Sequence, residues 1–166
     1  MIINEDLRIF LFMASLLFII SCQNNKNKED KEGKMTDLLK YGIPQTIFTP
    51  KDVVISKIGK GELMDVSIKN DKGYDLQIFM VGAFTSDIKK IKEEKKANAT
   101  SNPSFSKIVE EYEDGFLYEK VTEEGTRTYD FNIIRIVGAN EINFQCGNSK
   151  EFTESEVKKM VRSIRN

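Results

Sequence analysis

Apolar and polar residues alternate along two neighbouring stretches of the chain, and this alternation restricts the possible folds more than any other feature. In Leu63–Lys69 and in Tyr74–Val81 the pattern is typical of a strand with one buried face. Between them, Asn70–Gly73 has the composition of a hairpin turn. With the short β-branched segment Val53–Ile58, they predict a three-stranded antiparallel meander. The inward side chains are Met64, Val66, Ile68, Tyr74, Leu76, Ile78 and Met80.

Further strands are predicted in the second half of the chain. The clearest is Arg127–Val137, in which apolar residues again alternate. Turn signals at Glu123–Thr126 and Gly138–Asn140 separate it from Phe116–Val121 and Glu141–Cys146. Its inward side chains are Tyr129, Phe131 and Ile133.

The segment Phe105–Tyr112 fits two kinds of structure. Its apolar residues follow the i, i+3, i+4, i+7 spacing of a helix. However, Asp114-Gly115 is a hairpin signal that leads directly into the next strand. We therefore favour a strand, which completes a four-stranded meander, and a helix over residues 105–113 is the alternative.

Two amphipathic segments predict helices. Thr85 or Ser86 can cap the first, which carries Asp87 in its first turn and only Ile88 and Ile91 on its inner face. The second begins with the capping box Thr153-Glu-Ser-Glu156, and its apolar stripe is expected to lie on the sheet. That stripe consists of Val157, Met160, Val161 and Ile164.

Residues 36–166 therefore predict a single α+β domain, with an antiparallel β-sheet of about six to seven strands and helices packed on it, including a C-terminal amphipathic helix. The hairpin Asn70–Gly73, the turns Asp114-Gly115 and Glu124-Gly125, and the ending Phe152–Arg165 follow an order that resembles the Mog1/PsbP-like fold. That fold also occurs in small bacterial lipoproteins of the DcrB type. The resemblance, over roughly residues 40–166, implies a non-enzymatic binding or assembly accessory and supplies no catalytic residues.

The chain before the first meander predicts less regular structure. Residues 22–35 are expected to form a flexible polar tether, because Gln23–Lys34 has no apolar side chain. Between Met35 and Pro50, irregular apolar spacing and proline breakers predict a short helical turn near Leu38. An extended arm that covers one edge of the core should follow it.

A largely apolar run, Ile9–Ile20, contains one polar residue, Ser15, and lies shortly before Cys22. Its 12 residues fall short of the roughly 20 that a helix needs to cross a bilayer, and they match the apolar region of a signal peptide. The ending resembles the lipobox of bacterial lipoproteins, in which cleavage precedes a cysteine that carries lipid. By this resemblance residues 1–21 are a signal peptide and Cys22 is the site of lipid attachment. Glu5 and Asp6 depart from the usual positive start of such a peptide.

The charge balance argues against nucleic acid as a partner. Removing Glu5, Asp6 and Arg8 from the 25 basic and 26 acidic side chains leaves 24 of each. A neutral body has no long-range field to attract polyanions. The expected partners are the membrane, through the N-terminal lipid anchor, and another envelope protein.

Few residues have the chemistry of a catalytic site. The chain has no histidine, which excludes Ser-His-Asp and Cys-His catalysis and imidazole-bound zinc. Alternation with Ile142 and Phe144 predicts that Cys146 is a buried core residue, and a reactive thiol is the alternative. We predict no catalytic residue, no cofactor and no metal site.

Seven carboxylates cluster around the turns of the second meander, where we expect solubilising groups on outward faces. A glycosidase-like acid/base pair or a calcium site among them is a less favoured alternative. They are Glu110, Glu111, Glu113, Asp114, Glu119, Glu123 and Glu124.

These features predict an envelope lipoprotein that acts as a non-catalytic binding or accessory module outside the cytoplasm. Gln23 follows the predicted lipidated cysteine, where some bacteria use an aspartate as a retention signal. A glutamine at this position therefore favours sorting to the outer membrane. A carboxylate-dependent hydrolase of envelope polymers would need two carboxylates within about 10 Å, one with a raised pKa. A carrier of a small ligand or lipid would need a cavity of about 300 Å³ or more.

Overall fold

The computed structural model describes residues 33–58 and 63–165. These residues form an α+β fold with a seven-stranded antiparallel sheet, a separate two-stranded sheet and two α-helices. The predicted signal peptide, Cys22 and residues 22–32 of the predicted tether lie outside the described residues.

The elements follow one another with short connections. They are β1 (Gly33–Asp37), a 3₁₀ turn (Leu39–Tyr41), β2 (Thr46–Pro50), β3 (Val54–Lys57), β4 (Met64–Lys69), β5 (Asp75–Gly82), α1 (Ile88–Thr100), β6 (Phe105–Tyr112), β7 (Gly115–Val121), β8 (Arg127–Val137), β9 (Asn140–Cys146) and α2 (Glu154–Arg165).

The large sheet consists of the two predicted meanders, joined edge to edge. Its strand order is β3-β4-β5-β9-β8-β7-β6, so each meander keeps its chain order. The junction is the antiparallel pairing of β5 with β9, from Leu76 opposite Cys146 to Gly82 opposite Asn140. Both meanders are confirmed, and the junction between them was not predicted.

Strand β6 confirms the favoured interpretation of the ambiguous segment. It pairs with β7, but its register shifts between Phe105 and Lys107 and again between Ile108 and Glu110. Each shift inserts an extra residue and breaks the alternation. Val109 packs against the core, whereas Ile108 lies opposite Tyr118. The helix-like spacing of apolar residues therefore arises from two irregularities in a strand.

Helix α2 covers one face of the sheet, as its apolar stripe predicted. All four residues of the stripe are buried, and burying such a side chain contributes about 1.5–3 kcal/mol. The capping box is present: the Thr153 N–H donates to Glu156 Oε2 (2.9 Å), and the Glu156 N–H donates to Thr153 Oγ1 (3.4 Å).

Strands β1 and β2 form a hairpin that packs against the same core. The helical turn near Leu38 is confirmed, but the expected extended arm is a two-stranded sheet with Leu38, Ile43 and Ile47 fully buried. Because β1 begins at Gly33, the last three residues of the predicted tether lie in a strand.

Arg135 connects three parts of the core. Its guanidinium donates to Gln45 Oε1 (2.6 Å) between the turn and β2, and to the Ile164 carbonyl in α2. It also lies over the ring of Phe144, 5.8 Å from the centroid. One side chain of β8 therefore holds the hairpin and the C-terminal helix to the sheet.

Helix α1 contacts β6 and β8. Its N-cap is Asp87, whose Oδ1 accepts from the Lys90 N–H (3.1 Å), so the predicted cap at Thr85 or Ser86 is wrong. Thr85 Oγ1 instead accepts from the Asp87 N–H and orients the cap. Ile91 is the one buried residue of α1.

Candidate functional site

A groove of about 400 Å³ lies between α1 and the sheet. From the sheet it is lined by Phe79, Val81, Tyr118, Asn132, Asn143 and Gln145. From α1 and its flanking turn it is lined by Lys95, Asn98, Ala99 and Asn102, and Leu63 lies beside them just before β4. Helix α1 therefore covers this sheet face only in part.

Alternation along the central strands places the polar side chains in this groove. In β9, Asn143 and Gln145 stand between Ile142, Phe144 and Cys146, all three of which belong to the core. Successive side chains of a strand point to opposite faces. The pattern that builds the core therefore also aims two amides away from it, toward α1.

Asn143 is buried in the groove with half of its amide unsatisfied. The residue is 5% exposed, and its Nδ2 donates to Glu141 Oε1 (2.6 Å). Across residues 33–58 and 63–165, its Oδ1 has no hydrogen-bond partner. A buried acceptor without a donor costs about 1–3 kcal/mol. The lining of the groove therefore contains a buried acceptor for which these residues supply no donor.

Two neighbouring amides are also available. Asn132 and Gln145 are half-buried, and neither side chain forms a hydrogen bond within the part of the chain that the structure describes. The Tyr118 hydroxyl donates to Asp130 Oδ2 (3.3 Å), and burial raises the pKa of this phenol. The phenol therefore stays protonated at neutral pH.

The charged groups at the groove form a pair. Lys95 Nζ lies 3.3 Å from Glu141 Oε1, the same oxygen that accepts from Asn143. This arrangement offsets the lysine charge, and it leaves amides as the main polar groups of the lining.

One of the seven carboxylates contradicts the expectation that all face outward. Glu119 is 3% exposed, and the β7–β8 register sets it opposite Tyr129. Its carboxylate accepts from Ser106 Oγ (2.9 Å) and from the Tyr129 hydroxyl (3.1 Å). The pKa of Glu119 is lowered, and the hydrogen bond from Ser106 is the main cause. A general acid needs the opposite shift.

Three other carboxylates of the predicted cluster are paired with lysine or arginine side chains. Glu110 Oε2 lies 3.6 Å from Lys158 Nζ, and Asp114 contacts Arg165. Glu111 contacts Lys96, which ties β6 to α1. These three carboxylates therefore contribute to ion pairs between elements.

Cys146 lies in the core, where alternation placed it. The residue is 4% exposed, and burial raises the pKa of its thiol far above the ordinary value. The thiolate is the nucleophilic form of cysteine, so this environment opposes reactivity.

The described residues contain neither a metal-binding cluster nor a membrane-spanning helix. No cluster of three or more His, Cys, Asp or Glu side chains in residues 33–58 and 63–165 could hold a metal ion. No helix in the same ranges is long and apolar enough to cross a membrane.

Local sequence patterns do not predict the amides of the groove. Asn132, Asn143 and Gln145 occupy the outward positions of strands whose inward positions are apolar. In the sequence, such positions have the pattern of ordinary solvent-exposed side chains, because no local signal shows that a helix covers them. The order of strands and the position of α1 are needed to bring them together.

Comparisons with known proteins give no match. No family model matches the chain, and neither the curated proteins nor the solved structures contain a significant match. The resemblance to the Mog1/PsbP-like fold and to lipoproteins stays a prediction.

Proposed function

We propose that this chain is a non-catalytic binding module, held at a bacterial envelope membrane by lipid on Cys22, which takes a small ligand in the groove beneath α1. The observation that carries the proposal is the unsatisfied Oδ1 of Asn143 in a groove of about 400 Å³. A ligand donor would satisfy it.

The size and lining of the groove support a small ligand. Small-molecule sites are typically about 300–1,000 Å³, with an apolar lining and a few placed polar groups. Phe79, Val81 and Ala99 supply apolar surface, and Asn132 and Gln145 supply unengaged polar groups. This favours the small-ligand version of a binding module over a flat docking surface.

The chemistry of the lining supports binding over hydrolysis. A hydrolase of the carboxylate type needs an acid with a raised pKa near a second carboxylate. Glu141, the acid nearest the amides, is engaged by both Lys95 and Asn143. Glu119 has a lowered pKa and lies at another place on the sheet.

A protein partner is a second candidate, and one observation favours it. Phe84 is fully exposed just after β5, and Ile58 and Leu63 are also largely exposed at the same end of the sheet. Exposed apolar side chains grouped at one place are typical of interaction surfaces. Under this alternative the partner is another envelope protein that contacts this end.

A fragment screen with a blocking variant tests the proposal. The probes are small neutral molecules bearing amide, diol or phenol groups, added at millimolar concentration and followed by protein NMR. We expect the side-chain amide signals of Asn132, Asn143 and Gln145 to shift. The variant Ala99→Trp, which fills the groove, should abolish the shifts.

The matched control is Ala97→Trp, on the exposed side of the same helix. It should bind the fragments as the parent chain does. Binding that survives Ala99→Trp, fragments that bind only elsewhere, or the absence of any binding would overturn the proposal.

A further inference from the structure

The polar groups of the groove suit a ligand that both donates and accepts hydrogen bonds. Each side-chain amide presents a carbonyl acceptor and an NH₂ donor. Asn132 and Gln145 offer both functions, and Asn143 offers an acceptor. A hydroxyl group is the natural complement because it also donates and accepts at one atom.

The electrostatics of the groove favour a neutral ligand. Lys95 is paired with Glu141, and burial keeps the Tyr118 phenol protonated. A phosphate or carboxylate ligand would require unpaired cations, and a cationic ligand would require an unpaired acid. The lining meets neither requirement.

The lining of the groove also contains apolar groups, so its ligand should have apolar surface as well as polar groups. Phe79 lies directly opposite Asn143 in the register of β5 and β9, so a ring and an unsatisfied amide are adjacent. Ala99 approaches from α1. A sugar ring has this same combination, with C–H groups on its faces and hydroxyl groups around its edge.

Two other ligand classes fit less well. One common way for an extended peptide to bind a β-sheet is to add a strand at a free edge. Here the groove lies over β9, β8 and β7, whose backbones are already paired on both sides. A lipid chain would bury the amides without partners, at a cost for each group.

We infer that the groove binds a neutral saccharide, through the amides of Asn132, Asn143 and Gln145 and the ring of Phe79. This inference rests on the proposed function, because it names the ligand class of the same groove.

The test is a titration with neutral trisaccharides built from glucose, galactose, mannose or N-acetylglucosamine, followed by calorimetry and NMR. We expect at least one to bind and to shift the groove amides. Asn132→Ala and Gln145→Ala should each weaken that binding by about three- to tenfold, the effect of losing one neutral hydrogen bond. Asn148→Ala removes an exposed amide outside the groove and should leave binding unchanged.

Three outcomes would overturn the inference. One is that no trisaccharide binds in the millimolar range. Another is that a sugar phosphate or trialanine binds the same amides more tightly than every neutral sugar. The third is that Asn132→Ala and Gln145→Ala bind as Asn148→Ala does. If neutral fragments still bind the groove in any of these cases, the saccharide inference fails and the proposed binding function stands.

Discussion

Asn143 occupies a buried strand position at which an apolar side chain would be more stable. Because its Oδ1 has no donor among the described residues, replacing the amide removes an unsatisfied acceptor. The lost hydrogen bond to Glu141 is partly compensated by Lys95, which stays on the same carboxylate. A polar group kept at such a cost is typical of a functional position.

We predict that Asn143→Val raises the free energy of unfolding by up to about 1 kcal/mol and abolishes ligand binding in the groove. Denaturant unfolding measures the first effect, and the fragment titration measures the second. Asn132→Val, at a half-buried position, should change stability by less than about 0.5 kcal/mol. A clear loss of stability in Asn143→Val would show that the amide is structural.

Gly115 leaves no room for a side chain at the start of β7. A Cβ there would collide with the backbone carbonyl of Asn132 and lie 2.9 Å from the Ile133 Cα. The sequence identified this glycine as part of a turn, whereas its role is the close approach of two strands.

Gly115→Ala should therefore lower the free energy of unfolding by about 2–4 kcal/mol, since backbone must move to admit the methyl group. The matched control is Gly82→Ala, also in a strand, where a Cβ meets no atom within 4 Å. Thermal or urea unfolding of both variants checks this, and equal stabilities would contradict the steric explanation.

At the level of elements, the two helices differ in what attaches them. Helix α2 buries a full apolar stripe, whereas α1 buries Ile91 alone. The rest of the α1 attachment is polar: Lys92 Nζ donates to the Tyr112 carbonyl (3.1 Å), and Lys95 and Lys96 pair with acids of the sheet. Ion pairs near a protein surface contribute little, so Ile91 should dominate the attachment.

Ile91→Ala is predicted to lower stability by about 2–4 kcal/mol and to loosen α1 before the sheet unfolds. Hydrogen exchange should show faster exchange of α1 amides, with the amides of β5 and β9 protected nearly as before. Ile88→Ala removes a half-buried side chain of the same helix and should have a smaller effect. Uniformly faster exchange across the sheet would contradict local loosening.

The sequence predicted the elements better than their arrangement. Period-two patterns located β4, β5, β8 and β9, and the capping box located α2, because both signals are local. The pairing of β5 with β9 is not local, because it joins residues about 65 positions apart. The alternation in each strand would be equally compatible with other strand partners. The groove depends on that pairing and on the seat of α1, so local patterns did not reveal it.

Across the whole molecule, several tyrosines resist ionisation. Burial raises the pKa of Tyr74 and of Tyr118 well above the ordinary value of 10.0. The pKa of Tyr112 is raised to about 12, and burial is again the main cause. A raised phenol pKa means that the folded state favours the protonated form. This stability is fully present below pH 10 and is lost as the pH rises through the folded-state pKa values.

We therefore predict that the free energy of unfolding falls steeply between about pH 10 and pH 12. Denaturant titrations at successive pH values, with phenolate absorbance as a second readout, would measure it. Tyr74→Phe removes a hydroxyl that is hydrogen-bonded to Ser163 (2.9 Å), and it should reduce the pH dependence while lowering stability at neutral pH. A flat profile up to pH 12 would contradict the assignment.

The proposed membrane attachment is a property of the whole molecule and is tested by fractionation. Cys22→Ser should release the protein from the membrane fraction, because acyl chains contribute about 0.8 kcal/mol for each buried methylene. Cys146→Ala, which changes the other cysteine, should stay with the membrane. Mass spectrometry of the native protein should find residues 1–21 removed and lipid mass added; an intact, unmodified N-terminus would contradict the anchor.

The two register shifts in β6 have a consequence for encounters between two copies of the protein. An edge strand with regular unpaired backbone groups invites a second copy to extend the sheet. Bulges interrupt that regularity in β6, and the opposite edge, β3, is only four residues long. Neither edge of the seven-stranded sheet offers a straight template for polymerisation, so this sheet should not pair edge to edge with that of a second copy.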